Sequence, residues 1–389
     1  MYKVKILNNI NSEELKKLDS AQYAISEDVE NPDVILVRSA QMHEMEFGPE
    51  LLCIGRAGAG VNNIPIDRCA DDGIIVFNTP GANAEAVKEL ALCAMFLSSR
   101  DILGGVTWVR SIASGGDEIV ALIEKQKSDF SGPEIRGKTL GVIGLGSIGA
   151  IIAQAAHGLG MIVYGYDPYL SVEAAWGLSP DIIRADDVNA LYRMSDFITL
   201  HVPYLKSTHN MINKKSIAKM KPGIRVINLA RAELVNDDDM LEALASGQVK
   251  HYVTDFPNEK TAGAPGVIPI PHLGASTPES EDNCVSMVCA EIIDYVENGN
   301  ITNSVNMTHA YMPRTDDPRI CIIHYNVPDM IAKITAEVSK LGVNIENMLN
   351  SGTKGRSMAY TMLDIDTIPD GLEAAIGKIK GVIRVRALP

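Results

Sequence analysis

Hydrophobic and polar residues follow one another in this chain as short apolar runs separated by polar or amphipathic connectors. In the first eighty residues, apolar runs with the length of a buried strand occur at Val4–Leu7, Val34–Val37, Leu51–Ile54 and Ile74–Val76. The connectors include the helical pattern of Pro65–Asp72. Buried strands that alternate with helices predict a small α/β domain.

The α/β pattern continues through the middle of the chain between two long helices. Asn83 precedes an apolar helix, Ala84–Ser99, and an irregular acidic stretch is expected after it. Thr277, Pro278 and Glu279 combine the cap, the first-turn proline and the early carboxylate of a helix start, which predicts a helix to about Asn298. Strands are predicted between these helices at Leu140–Ile143, Met161–Tyr166, Phe197–Leu200, Arg225–Leu229 and Tyr252–Thr254.

The last third of the chain has a different pattern. Ile301–Pro318 is polar and contains prolines, which predicts a linker. An alternating strand, Ile320–Tyr325, follows, and after it come a helix, two strands, a helix and a final strand, Val382–Ala387. This βαββαβ order is the ferredoxin-like pattern.

The strand Leu140–Ile143 is followed by the glycine motif of a dinucleotide-binding βαβ unit. Gly144 permits a tight turn, Gly146 lets the backbone approach a pyrophosphate, and Gly149 allows close packing of helix on strand. Ser147 and Ile148 complete the motif, and its N–H groups at the helix start favour an anion. Asp167 ends the second strand and would bind the ribose 2′-OH, which predicts NAD rather than NADP.

Two other interpretations of this segment are considered. A GxGxxG sequence can arise by chance in a glycine-rich chain, but here strand, helix, second strand and acidic residue occur in order. A membrane span is the second alternative, because Thr139–Tyr166 is long and mostly apolar. The glycines and two changes of periodicity argue against it.

Length, charge and cysteines narrow the possibilities further. A chain of 389 residues is expected to have two or three domains. A net charge of −14 disfavours binding to nucleic acid or to an anionic membrane. No secretory signal is visible, and the six cysteines form no CxxC pair and lie in apolar stretches, which predicts buried reduced thiols and a cytoplasmic protein.

Three further stretches resemble the D-2-hydroxyacid dehydrogenase family. They are Asn228–Val235 with Arg231, Asp255–Glu259 with Glu259, and Pro271–Thr277 with His272. The resemblance covers nearly the whole chain. It implies that Arg231 clamps the substrate carboxylate, that His272 is the acid/base at the C2 hydroxyl, and that Glu259 supports His272.

The chain departs from the family pattern at two of these stretches. Ala232 replaces the glycine that usually follows the arginine, which narrows the backbone freedom of the loop. The spacing from Asp255 to Glu259 is one residue shorter than expected, so Glu259 is the least secure of the three assignments.

The same resemblance implies further binding residues and a particular branch of the family. That branch carries a C-terminal ACT domain and oxidises 3-phospho-D-glycerate to 3-phosphohydroxypyruvate, the first step of L-serine biosynthesis. The cofactor-binding set then adds His201, Val202, Pro203, Thr208, Ala230 and Asp255 to the glycine motif and Asp167, with His201 expected to be structural rather than catalytic. The substrate-binding set is Arg38, Ser39 and Arg56.

The ACT resemblance also predicts a regulatory site for L-serine at an interface between paired domains, with His324, Asn326 and Asn344 as its residues. Asp329 stands where the family commonly has glycine and would bring a negative charge near the amino-acid carboxylate. A purely structural dimerisation domain therefore remains the alternative.

We expect an α/β protein with a Rossmann-type nucleotide domain inserted in a flavodoxin-like substrate domain, plus a C-terminal ferredoxin-like βαββαβ (ACT) domain. The expected limits are 1–96 and 278–310 for the substrate domain, 97–277 for the NAD domain, 311–318 for the linker and 319–389 for the ACT domain. A homodimer or homotetramer without a metal is expected. Other functions left open are another D-2-hydroxyacid dehydrogenase, such as a glyoxylate or hydroxypyruvate reductase, and a non-catalytic NAD-sensing protein.

Overall fold

The computed structural model describes residues 1–8, 10, 13–352 and 357–389. They divide into two compact units, one made of Met1–Ala82 with Glu281–Pro389 and the other of Asn83–Ser280. The first unit is therefore built from both ends of the chain, and the second from the continuous segment between them.

The N-terminal part of the first unit contains a parallel sheet. Its described elements are β1 (Tyr2–Leu7), β2 (Tyr23–Ser26), β3 (Val34–Val37), β4 (Cys53–Arg56), α1 (Ile66–Asp71) and β5 (Ile75–Asn78). The strand order β2-β1-β3-β4-β5 is that of a flavodoxin-like sheet, which agrees with the fold class expected for this domain. Strand β2 was not predicted, because Tyr23 is its one buried residue and it has no apolar run.

The second unit contains the expected Rossmann-type fold. Its described elements are α2 (Ala84–Ser99), α3 (Ile102–Ser111), α4 (Ile119–Gln126), β6 (Thr139–Ile143), α5 (Ser147–Gly158), β7 (Ile162–Tyr166), α6 (Val172–Trp176), β8 (Ile183–Arg184), α7 (Val188–Met194), β9 (Phe197–Leu200), α8 (Lys214–Ile217), β10 (Ile224–Asn228), α9 (Asp237–Ala245), β11 (Val249–Thr254) and β12 (Val267–Pro269). Its strands are parallel in the order β12-β11-β10-β9-β6-β7-β8. The order reverses at β6, which is the point where a dinucleotide binds in such sheets.

Helix α2 packs within the second unit. Val87, Ala91 and Met95 on one side of it join the apolar core that contains Leu140 and Val163. Along the sequence, the boundaries between the two compact units fall at residues 82/83 and 280/281. The boundaries expected from the sequence are 96/97 and 277/278.

Two expectations for this region were wrong. The irregular stretch after α2 contains the helices α3 and α4, for which the described residues show no buried side chain. A sequence pattern set by core packing therefore did not reveal them. Cys93 is exposed rather than buried, because it lies on the face of α2 opposite Ala91 and Met95; the other five cysteines are buried.

The C-terminal part of the first unit begins inside α10 (Pro278–Ile293), and Thr277 caps this helix by accepting a hydrogen bond from the Ser280 N–H at 3.1 Å. A π-helical turn, Asp294–Asn298, follows it. The remaining elements are β13 (Arg319–Tyr325), α11 (Met330–Lys340), β14 (Ile345–Gly352), β15 (Met358–Ile365), α12 (Leu372–Gly377) and β16 (Val382–Leu388). They have the predicted βαββαβ order and form an antiparallel sheet ordered β14-β15-β13-β16.

A buried ion pair links β13 to β15 within this sheet, and its arginine also binds the π-helical turn after α10. Arg319 and Asp364 are both fully buried, and the Arg319 Nε donates to Asp364 Oδ1 at 2.6 Å. The other guanidinium N–H groups donate to the carbonyls of Asn298, Met312 and Pro313 at 2.8–2.9 Å. The segment predicted as a linker is therefore held against β13 by Arg319.

Candidate active site

The glycine motif forms a tight loop between β6 and α5. Gly144 has φ +91°, and a Cβ there would lie 2.4 Å from the His201 carbonyl oxygen. A Cβ on Gly149 would lie 1.9 Å from the Gly144 carbonyl oxygen. Both glycines are thus required by the packing of the loop. At Gly146 a Cβ would meet no described atom within 4 Å, so this side of the loop is open.

Asp167 follows β7 and is held by the loop itself. Its carboxylate accepts hydrogen bonds from the Leu145 N–H at 2.9 Å and from the Tyr169 N–H at 2.9 Å. The structure therefore brings the acidic residue and the glycine loop together. Open space at Gly146, a start of α5 that no described side chain caps, and a carboxylate beside them fit the pyrophosphate and ribose of a dinucleotide.

The loop after β9 contains the other residues predicted to contact the cofactor. His201 is half-buried, and burial lowers its pKa to about 3, so its imidazole is neutral. One ring nitrogen contacts Thr199 Oγ1 at 2.7 Å, which suits a structural role. Thr208 Oγ1 donates to the Pro203 carbonyl at 2.8 Å and accepts from the Leu205 N–H at 2.8 Å, so it closes the loop that starts with Val202.

Arg231 lies in the loop that follows β10. Its guanidinium is exposed, and Nη1 donates to the Ala230 carbonyl at 2.6 Å. The buried side chain of Asn228 accepts from the Ala230 N–H at 3.2 Å and donates to the Arg231 carbonyl at 2.8 Å. The loop is thus ordered by an asparagine to which the sequence analysis assigned no role.

Asp255 and His272 lie near each other at the carboxyl ends of the strands. Asp255 is 2% exposed, and neither carboxylate oxygen has a hydrogen-bond partner among the described residues. Its Oδ2 lies 3.4 Å from the position that a Cβ on Gly274 would take, and the ring of Phe256 lies 4.6 Å from that of His272. Burial raises the pKa of Asp255, and the nearby His272 and Arg231 oppose this rise.

Glu259 is exposed, and its carboxylate makes no hydrogen bond or ion pair within the described part of the chain. Its two neighbours attach the loop to the start of α9. Asn258 Nδ2 donates to Asp237 at 2.6 Å, and Lys260 Nζ donates to Asp238 at 2.7 Å. His272 therefore lies beside the segment that carries Asp255, Arg231 lies within electrostatic range of the Asp255 carboxylate, and no hydrogen bond joins Glu259 to His272 among the described residues.

The predicted substrate residues of the first unit form a cationic cluster. Arg56 Nε donates to the Arg38 carbonyl at 3.1 Å, and Arg38 Nη2 pairs with Glu281 on α10 at 2.6 Å. This pairing raises the pKa of Arg38 and lowers that of Glu281, whereas burial lowers the pKa of Arg56. Asn8 Oδ1 accepts from the Ser39 N–H at 3.1 Å and so orders the same loop.

The predicted regulatory residues do not lie together in one chain. His324 is buried, and its ring nitrogens contact the Tyr325 carbonyl and Thr361 Oγ1, each at 2.9 Å. Asn326 lies just beyond β13 at that end of the sheet. Asn344, which donates to Glu346 at 2.5 Å, precedes β14 at the opposite end.

Asp329 adopts a left-handed backbone conformation of the kind that glycine favours. Its φ is +64°, in the left-handed region, immediately before α11.

Among the described residues, no group of His, Cys, Asp and Glu could hold a metal ion. No single described helix is long and apolar enough to cross a membrane, and the bent pair α2 and α3, at 66°, passes that test only when both are taken together.

Comparison with known proteins gives a family model and curated relatives. Residues 94–274 match the D-isomer specific 2-hydroxyacid dehydrogenase, NAD binding domain. A D-3-phosphoglycerate dehydrogenase of Methanocaldococcus jannaschii is 33% identical over 335 residues, 84% of this chain and 61% of the relative. A human D-3-phosphoglycerate dehydrogenase is 31% identical over 80% of this chain and 58% of its own length. The chain thus spans about three fifths of these relatives.

Solved structures share the fold. An apo D-mandelate dehydrogenase from Rhodotorula graminis has a TM-score of 0.67 at 22% identity, covering 81% of this chain and 99% of that chain. A 3-phosphoglycerate dehydrogenase from Entamoeba histolytica with bound NAD+ has a TM-score of 0.60 at 24% identity, covering 78% and 98%.

Proposed function

Since the chain belongs to the D-isomer specific 2-hydroxyacid dehydrogenase family and has its NAD-binding domain, we propose that it oxidises 3-phospho-D-glycerate to 3-phosphohydroxypyruvate. The observation that carries this proposal is the grouping of Arg231, Asp255 and His272 in the unit that also contains the glycine loop. A carboxylate clamp and an acid/base are the two groups that oxidation of a 2-hydroxy acid requires from the protein.

Arg231, His272 and Glu259 each have a distinct part in the proposed reaction. Arg231 donates to the substrate carboxylate and to the C2 oxygen, because its planar fork matches a carboxylate. His272 takes the proton of the C2 hydroxyl as the C2–H bond breaks and the C2 carbonyl forms. Bound NAD supplies the acceptor for the hydride that leaves C2. Glu259 is the carboxylate that the family resemblance assigns to support of His272.

The substrate phosphate is assigned to Arg38, Ser39 and Arg56. Because the chain has a net charge of −14, an anionic substrate needs cations gathered locally. The hydrogen bond from Arg56 Nε to the Arg38 carbonyl supports this assignment, since it holds the Arg56 side chain against the loop that carries Arg38 and Ser39.

A homo-oligomer is part of the proposal. The side chains of Ile102, Leu103, Val106 and Val109 on α3 are 37–49% exposed, and Val120 on α4 is 67% exposed. Apolar side chains grouped in this way are typical of an interface.

We assign the C-terminal domain to ACT-type regulation by L-serine, and the chain to the first step of L-serine biosynthesis in the cytoplasm.

A coupled assay over a panel of 2-hydroxy and 2-oxo acids tests the reaction. We expect turnover of 3-phosphoglycerate with NAD that is lost in His272→Asn, while NADH binding persists and the exposed control His43→Asn stays active. No turnover of any acid together with intact NADH binding would identify an NAD-sensing protein instead.

The substrate assignment is tested with the double variant Arg38→Ala/Arg56→Ala. We expect this variant to lose far more activity on the phosphorylated acid than on glyoxylate or hydroxypyruvate. The exposed control Arg193→Ala should show little change in activity on any of these acids. Equal losses on all acids would favour a dehydrogenase of small unphosphorylated acids. Unchanged rates with added L-serine would contradict the regulatory assignment.

A further inference from the structure

We propose that Asn228 and Tyr252 are positioning residues that set where the Arg231 guanidinium meets the substrate carboxylate. The inference rests on the proposed function, because it explains how the loop that carries Arg231 is held. Neither residue is assigned contact with substrate.

Asn228 holds the backbone on both sides of the peptide bond between Ala230 and Arg231. Its side chain, 0% exposed at the end of β10, accepts from the Ala230 N–H at 3.2 Å through Oδ1. Its Nδ2 donates to the Arg231 carbonyl at 2.8 Å. One amide group therefore replaces the two backbone hydrogen bonds that the chain loses as it leaves the sheet.

Tyr252 gives that amide a third hydrogen-bond partner. It lies on β11, opposite Val226 of β10, and is 2% exposed. Asn228 Nδ2 donates its second hydrogen bond to the Tyr252 hydroxyl oxygen at 3.3 Å. Rotation of the amide by 180° would turn Oδ1 toward the Arg231 carbonyl oxygen and Nδ2 toward the Ala230 N–H, so these two backbone groups select one orientation of the amide, and the Tyr252 hydroxyl adds a further contact to it.

The guanidinium completes the same network. Arg231 Nη1 donates to the Ala230 carbonyl at 2.6 Å, next to the N–H that Asn228 holds. The Arg231 backbone is extended, with φ −153° and ψ 142°, just before the short helical turn Ala232–Leu234. Loss of the Asn228 amide would leave the Ala230 N–H and the Arg231 carbonyl without these partners, and the loop would sample other conformations.

The test uses Asn228→Ala, Tyr252→Phe and a matched control. The control is Tyr192→Phe in the same unit, where a buried hydroxyl donates to the Met211 carbonyl at 3.5 Å and makes no hydrogen bond to Asn228, Ala230 or Arg231 among the described residues. The KM for 3-phosphoglycerate should rise roughly tenfold in Asn228→Ala and about threefold in Tyr252→Phe. The Kd of NADH should stay within about twofold of wild type in all three.

Two further measurements separate positioning from a general structural effect. In an Arg231→Ala background, Asn228→Ala should change the KM by less than about twofold, because the residue that it positions is gone. Hydrogen exchange of the Ala230 amide, measured without substrate or cofactor, should speed up in Asn228→Ala and stay unchanged in Tyr192→Phe.

Other outcomes would overturn the inference. One such outcome is that Asn228→Ala raises the KM as much in the Arg231→Ala background as it does in the wild type. The others are a loss of NADH affinity as large as the rise in KM, and unchanged hydrogen exchange of the Ala230 amide. A normal KM in Arg231→Ala would instead defeat the proposed role of that arginine. A raised KM in Arg231→Ala with a normal KM in Asn228→Ala would defeat this inference alone.

Discussion

Glu291 on α10 is a buried acid, and its replacement by glutamine should stabilise the protein in a pH-dependent way. The residue is 5% exposed. Its Oε1 accepts from Asn303 Nδ2 at 2.7 Å, and Oε2 has no partner among the described residues. Burial raises the pKa of Glu291 from 4.5 to about 8.

The sign of the effect follows from where the proton binds more tightly. An acid whose pKa is raised on folding holds its proton better in the folded state, so stability is lost as the pH rises from the unfolded pKa toward the folded one. Relative to a neutral side chain of the same shape, Glu291 then costs about 1 kcal/mol at pH 5, about 3 kcal/mol at pH 7 and about 5 kcal/mol at pH 9. Glutamine removes this cost and keeps the acceptor for Asn303.

Denaturant unfolding at these three pH values measures the difference between Glu291→Gln and wild type. We expect the variant to be more stable by an amount that grows with pH. The exposed Glu44→Gln should show no such growth. A stability difference that stays constant from pH 5 to pH 9, or that shrinks as the pH rises, would refute the reasoning.

Other replacements test the cofactor site and the buried ion pair of the C-terminal sheet. Gly149→Ala should abolish NADH binding, since its Cβ would lie 1.9 Å from a backbone oxygen. Gly146→Ala places its Cβ in open space, so it should keep the fold and weaken NADH binding. Fluorescence titration measures the binding, and circular dichroism measures the fold. Asp167→Ala should reduce the preference for NAD over NADP, seen in KM ratios, and an unchanged ratio would contradict its contact with the ribose. Arg319→Met leaves Asp364 buried without its partner and should cost roughly 3–5 kcal/mol in denaturant unfolding, whereas the double replacement with Asp364→Leu should recover much of it.

Most of the fold could be predicted from the sequence where burial determines the pattern. Strand β9 has all four residues buried and is found at the predicted limits, Phe197–Leu200. The helices α3 and α4 could not be predicted in this way, because none of their described side chains is fully buried and several of their apolar side chains are exposed. The apolar pattern of a sequence indicates which side chains pack against a core. It therefore does not predict a helix whose apolar side chains do not pack against one.

The site was predictable as a set of residue types but not as a set of contacts. Motif order identified Arg231, Glu259 and His272 together, and the missing residue before Glu259 already weakened its assignment. Contacts depend on how each loop is attached. Asn258 and Lys260 attach the Glu259 loop to α9, which no local pattern reveals.

The predicted regulatory site shows the same limit and leads to a stronger expectation about assembly. His324 lies opposite Ala359 in the sheet, whereas Ile345, next to Asn344, lies opposite Ile365. The separation along β15 is six residues, or about 20 Å at the rise of a strand. A free amino acid is far too short to touch both ends. If His324, Asn326 and Asn344 bind one effector molecule, Asn344 must come from a second copy of the chain, so L-serine should strengthen self-association as it binds. Sedimentation with and without L-serine measures this directly, and serine binding by a species that remains monomeric would exclude a shared site.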